Sequence, residues 1–123
     1  MTTAFWCVFV AGLLPYAAFS FMATSLDARL PRVSAANLEG MKARANGAHL
    51  NAFEAFGFFA AAVVIAHLVE GANATVNLLA MVFIVIRVGH MAFYLTDRQP
   101  LRSTCFGLGI LATAAIFLHA AFH

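Results

Sequence analysis

The stretch RANGAHLNAFEAFGFFAAAVVIAHL, from Arg44 to Leu68, places the residues of a polar site inside the composition of a membrane helix. Its length suits a transmembrane span. Its first third nevertheless holds Arg44, Asn46, His49, Asn51 and Glu54. At about 100° per residue, Arg44 and Asn51 point almost the same way, and Glu54 lies within roughly 80° of Arg44. These three form one stripe, and His49 falls outside it. At about 1.5 Å per residue, Glu54 sits roughly 15 Å deeper than Arg44. An ionised carboxylate at that depth needs a partner. Arg87, His90 and Tyr94, at i, i+3, i+7, form a second polar face that offers one. Arg87 lies roughly 12 Å from its own span end, a comparable depth. The spacing predicts a Glu54–Arg87 pair, bidentate and hydrogen-bonded, with Asn51 bridging helices.

Two roles stand open for Glu54, Asn51 and Arg87. Buried polar side chains glue helices together and fix their register. They also contact ligands. Charge bears on the choice: Arg44, Arg87, Arg102 and Arg29 gather toward one half of the spans, and Glu54 offsets only one of them. Surplus buried positive charge calls for an anion, such as a carboxylate-bearing small molecule or a lipid headgroup. Tyr94 reads either as an interface anchor or as a phenol that donates to that anion. Arg32, Lys42 and Arg98 read as snorkelling and topology signals. His67, His119 and His123 belong to no motif and read as incidental.

The elements that must position these residues follow from composition. Of 123 residues, 63% are hydrophobic and 10% charged, and mean hydropathy is +0.90. A soluble domain is usually about a quarter charged, so the bilayer is the expected solvent. Length allows a single domain, 1–123. The expected class is all-α, an integral membrane four-helix bundle, because each helix satisfies its own backbone in lipid. The expected spans are Ala4 to Leu26, with a kink at Pro15; the Arg44 region to Val69; Val76 to Leu95; and Leu101 to His119. MTTAFWCVFV has no basic residue before its apolar run and is read as a retained span rather than a signal peptide.

Six of the seven basic residues lie in or beside the first and third connectors; Arg87 is the seventh. Those connectors are therefore expected at the cytoplasm, with both termini on the far side. A net charge of +2 without a basic run gives no sign of nucleic-acid binding. No Cys/His spacing suits a metal, and Cys7 and Cys105 fall near opposite membrane faces, too far apart for a disulfide.

Arg44-x-x-x-Ala-His-x-Asn51-x-x-Glu54 resembles the second-span signature of the MAPEG family, membrane-associated proteins in eicosanoid and glutathione metabolism. Arg87-x-x-His90-x-x-x-Tyr94, followed by Leu101-Arg102-Ser103, resembles its third span and loop. The pattern is similar to bacterial members, which implies a bacterial inner membrane. The resemblance implies a homotrimer in contact with membrane lipids. It implies bent glutathione at subunit interfaces as co-substrate, and a lipophilic second substrate. Arg102 is the implied thiolate-stabilising, catalytic residue. Arg44, Asn51, Glu54, Arg87, His90 and Tyr94 form the implied glutathione-binding set. Two positions depart from the pattern: Gly47 stands where many members have a basic residue, and His90 where many have tyrosine. The implied function is glutathione transferase or peroxidase-like chemistry; the alternative is a binding or scaffold protein without it. A four-span cation exporter ranks below both, because arginines beside Glu54 repel cationic drugs.

Overall fold

A backbone in hydrocarbon finds no water to bond, so long apolar runs close their own hydrogen bonds as helices. The computed structural model describes all residues, Met1–His123. It is helical without strands: α1 (Thr3–Ser20), a 3₁₀ turn (Ala23–Ser25), α2 (Pro31–Ala36), α3 (Gly40–Glu70), α4 (Ala74–Leu95) and α5 (Gln99–Ala121). Helices α1, α3, α4 and α5 are long and apolar enough to cross a membrane. Around the bundle they run α1, α3, α5, α4, with α3 and α4 also meeting across the diagonal.

Local chemistry sets the helix ends. Thr2 caps α1, its hydroxyl accepting from Phe5 N–H, and Asn73 caps α4, accepting from Thr75 and Val76 N–H. Gly71 follows α3 at φ +73°, a conformation open to glycine. The first span is shorter than its apolar run predicts. It ends at Ser20 rather than Leu26, because Phe21 and Met22 N–H turn back to the Ala18 and Phe19 carbonyls. Eighteen residues already cover about 27 Å, close to the hydrocarbon thickness. Helix α1 runs on through Pro15, whose carbonyl accepts from His49 Nδ1 at 2.7 Å. Helix α2 was hidden by the connector's polar composition; its one local signal is Pro31 in its first turn.

Helix α3 spans 31 residues, about 46 Å, and outruns the bilayer core by roughly ten residues. Excess length at its N-terminal end would bring roughly its first ten residues into the interfacial layer. Glu54 would then sit nearer that layer than its distance from Arg44 suggests.

The core is built on small residues. Ala4, Ala11, Ala62, Ala66, Ala80 and Ala112 are buried and let the helices approach closely. At its centre Phe59 and Phe83 stack at 3.9 Å with an 8° interplanar angle. At the far end, His67 is not incidental. Its Nδ1 faces the Val63 carbonyl at 2.8 Å, its Nε2 meets the Thr2 hydroxyl at 2.8 Å, and Asn77 accepts from Ala4 N–H at 2.9 Å. His119 approaches Glu70 at 3.6 Å. Cys7 and Cys105 are both free.

Phe59→Ala is expected to destabilise the bundle by about 2 kcal/mol in a detergent–denaturant titration. That is below the cost in a water-soluble core, because lipid solvates the unfolded side chain nearly as well as the core does.

Candidate functional site

Three helices supply the site, each at helical spacing. Helix α4 turns Phe83, Arg87, His90 and Tyr94 to one side, and Arg87 and His90 are 4% and 2% exposed. Helix α3 presents Gly47, Asn51, Glu54 and Phe58. Helix α5 adds Arg102, Ser103, Phe106, Gly109 and Thr113. Two recesses open between them. One, of about 240 Å³, is lined by Asn51, His90, Tyr94, Arg102, Ser103 and Phe106. The other, of about 210 Å³, lies beside Arg87, Glu54, Phe58 and Gly109. Asn51 and Phe106 line both, so they adjoin.

The expected Glu54–Arg87 pair does not form. Arg87 Nη2 donates to Asn51 Oδ1 at 2.7 Å. No Arg–carboxylate contact falls within 4.0 Å; the sole cation–carboxylate approach joins His119 and Glu70. The reason is helical geometry. Asn51 faces α4 directly, whereas Glu54, three residues on, is turned to the protomer's open flank and is exposed. Asn51 does bridge α3 and α4 as its stripe predicts. Glu54 lines the second recess from the side, leaving Arg87 with a neutral partner and uncompensated charge.

Arg44 is diverted. Its Nε donates to the Leu95 carbonyl at 3.2 Å, at the C-terminus of α4, where a guanidinium complements the helix dipole. It lines neither recess. Arg102 and Tyr94 do come together: the guanidinium carbon stands 4.4 Å from the ring centroid, a cation–π contact. His90 meets the same ring edge-on at 5.6 Å.

Gly47 explains where Tyr94 sits. A Cβ built there would overlap the phenolic oxygen and stand 2.6 Å from its ring carbon Cζ. Only a residue without a side chain lets the ring rest on α3. The space beside position 47, where the sequence pattern has a basic residue, is thus filled by the Tyr94 phenol from α4. Ser103, Phe106 and Gly109 were not singled out as site residues, although Arg102, Phe106, Gly109 and Thr113 follow i, i+4, i+7, i+11 and share a face.

Chemically, two guanidiniums beside a small polar recess favour an anion. A thiol held there is biased to its thiolate, since a nearby positive charge stabilises the charged form. No cluster of three or more His, Cys, Asp or Glu suits a metal ion.

Fold and site together define a multi-pass membrane α-bundle with a cation-rich polar site set into its spans. The MAPEG family model matches residues 3–122, and the chain belongs to that family, whose members serve glutathione and eicosanoid metabolism. No curated protein and no solved structure gives a significant match.

Two substitutions separate the expected pair from the observed one. Asn51→Ala should destabilise the protomer by about 1–3 kcal/mol, because it strips the buried Arg87 of its partner. Glu54→Gln should leave the fold of the protomer itself within about 0.5 kcal/mol in the same titration, since no group of its own protomer pairs with this carboxylate. Gly47→Ala should push Tyr94 off α3. The loss of its contact with Arg102 would be read as a changed Tyr94 ring signal by NMR.

Proposed function

We propose that the protein is a membrane-bound glutathione transferase with peroxidase-like capacity, acting on lipophilic electrophiles. The observation that carries this reading is the uncompensated charge: Arg87 is buried against neutral Asn51, and Arg102 stands over Tyr94 at the mouth of the adjoining recess. Glutathione supplies the missing anion. Its thiolate lies against Arg102, and its carboxylates fall toward Arg87 and the His90–Tyr94 edge. The thiolate sulfur forms a bond to an electrophilic carbon as the leaving group departs with its electron pair. The thiol proton goes to solvent. Phe58 and Phe106 give the second substrate an apolar approach from the lipid.

The working unit is a homotrimer. The open flank that carries Glu54 and both recesses supports this: in a lone protomer that polar flank faces hydrocarbon, and a neighbouring copy would cover it. The basic connectors face the cytoplasm of a bacterial inner membrane, and both termini lie on the far side. One feature favours a second reading, a binding protein without this chemistry. Tyr94 on Gly47 occupies the space in which a basic side chain would hold a glutathione carboxylate.

Calorimetric titration of glutathione into the detergent-solubilised protein tests both. Saturable binding with a thiolate absorbance is expected. Arg102→Ala should cut the thiolate fraction at neutral pH about tenfold, the effect of a thiol pKa rising by about one unit. Glutathione that fails to bind, or binds without Arg102 dependence of the thiolate, would sink the transferase reading. Binding without conjugation of a chromogenic electrophile would favour the second.

A further inference from the structure

The largest cavity in the molecule lies on the opposite face of α3 from the site. It is a recess of about 660 Å³ between the end of α1, the first connector with α2, and the start of α3. Phe19, Met22, Leu26, Leu50 and Phe53 give it apolar walls. Arg32, Asn46 and His49 are its only polar lining residues. The connector's two carboxylates, Asp27 and Glu39, are not among the lining. His49 is fixed in place, with its ring edge-on to Phe53 at 5.0 Å and its Nδ1 2.7 Å from the Pro15 carbonyl. A carbonyl only accepts, so Nδ1 carries the proton.

We propose that this recess binds an anionic phospholipid, with one acyl chain between Phe19 and Phe53 and the phosphate at Arg32. Three features lead there. Its volume lies in the range that encloses a small ligand or a single chain. The walls are apolar, and the rim carries a cation with no carboxylate to oppose it, which selects a negatively charged head over a zwitterionic one. The recess also lies at the end of the bundle where α1 stops and α3 begins, the end of a span at which headgroups rather than chain ends are met. The donating amide of Asn46 suits the ester oxygens that follow the phosphate. This site is independent of the glutathione reading, since no residue lines both.

The single tryptophan, Trp6, lies at the other end of the bundle, so a background of Trp6→Phe with Phe53→Trp puts the sole indole on the recess wall. This protein is reconstituted into vesicles of phosphatidylcholine, in which either phosphatidylglycerol or phosphatidylcholine carries brominated acyl chains that quench the indole. Brominated phosphatidylglycerol should reach half-quenching at about a fivefold lower mole fraction, the effect of one basic side chain on an anionic lipid. Arg32→Ala should remove that preference, and Arg32→Lys should keep most of it, with circular dichroism unchanged in both. Equal quenching by the two lipids would overturn the proposal. So would a preference that survives Arg32→Ala. Displacement of phosphatidylglycerol by an equimolar brominated fatty acid would overturn it in favour of a free acid. An indole that neither lipid reaches would overturn it in favour of a second copy of the chain covering the recess.

Discussion

A guanidinium set inside hydrocarbon constrains everything around it. Arg87 is almost wholly buried and donates to Asn51 across the gap between α3 and α4. Leaving that donor unpartnered would cost about as much as a single packing defect in the core. The bond therefore ties α3 to α4 across the bundle's diagonal. In that register the Phe59–Phe83 stack falls one level deeper, and His90 and Tyr94 fall at successive turns toward the basic end. Gly109 on α5 is small enough for the Arg87 stem to lie beside it; a Cβ there would touch Arg87 Cδ at 3.6 Å. Site and core thus meet at one part-buried hydrogen bond between α3 and α4.

Close packing is what makes the bond possible. In lipid the hydrophobic effect does not press helices together, so contact has to come from surfaces that fit. The buried alanines of α1, α3, α4 and α5 provide them. Gly47 is the extreme case, where one backbone surface receives a whole aromatic ring. Tyr94 then does two things with one side chain: it closes α4 against α3, and it offers its face to Arg102.

Helix α3 works on both sides. Gly47, Asn51 and Glu54 face the site or its edges, whereas Asn46, His49, Leu50 and Phe53 face the recess opposite. Its length lets it do so. It exceeds the bilayer core by roughly ten residues, and its polar residues lie in its N-terminal half. Membership of the MAPEG family accords with a multi-pass membrane protein of four long apolar helices.

The sequence by itself determined the class, the number of spans and the stripes. Long apolar runs leave the backbone no alternative to helices, and the spacing of Arg87, His90 and Tyr94 forces them onto one face whatever packs against it. The motif from Arg44 to Glu54 likewise pointed to the family that the chain belongs to. Partners across helices were a different matter. Opposite charge suggested Glu54 for Arg87, but which of two residues three apart meets α4 depends on how α3 is rotated, and that is set by packing along its whole length. The same rotation sends Arg44 to the end of α4 and turns Glu54 outward. Spacing within one helix cannot reveal that a glycine on α3 lies under a tyrosine on α4, because the two are 47 positions apart and meet only when the bundle closes. Periodicity is local and legible in a single chain segment; the register between helices is a property of the packed whole, and only the tertiary structure decided it.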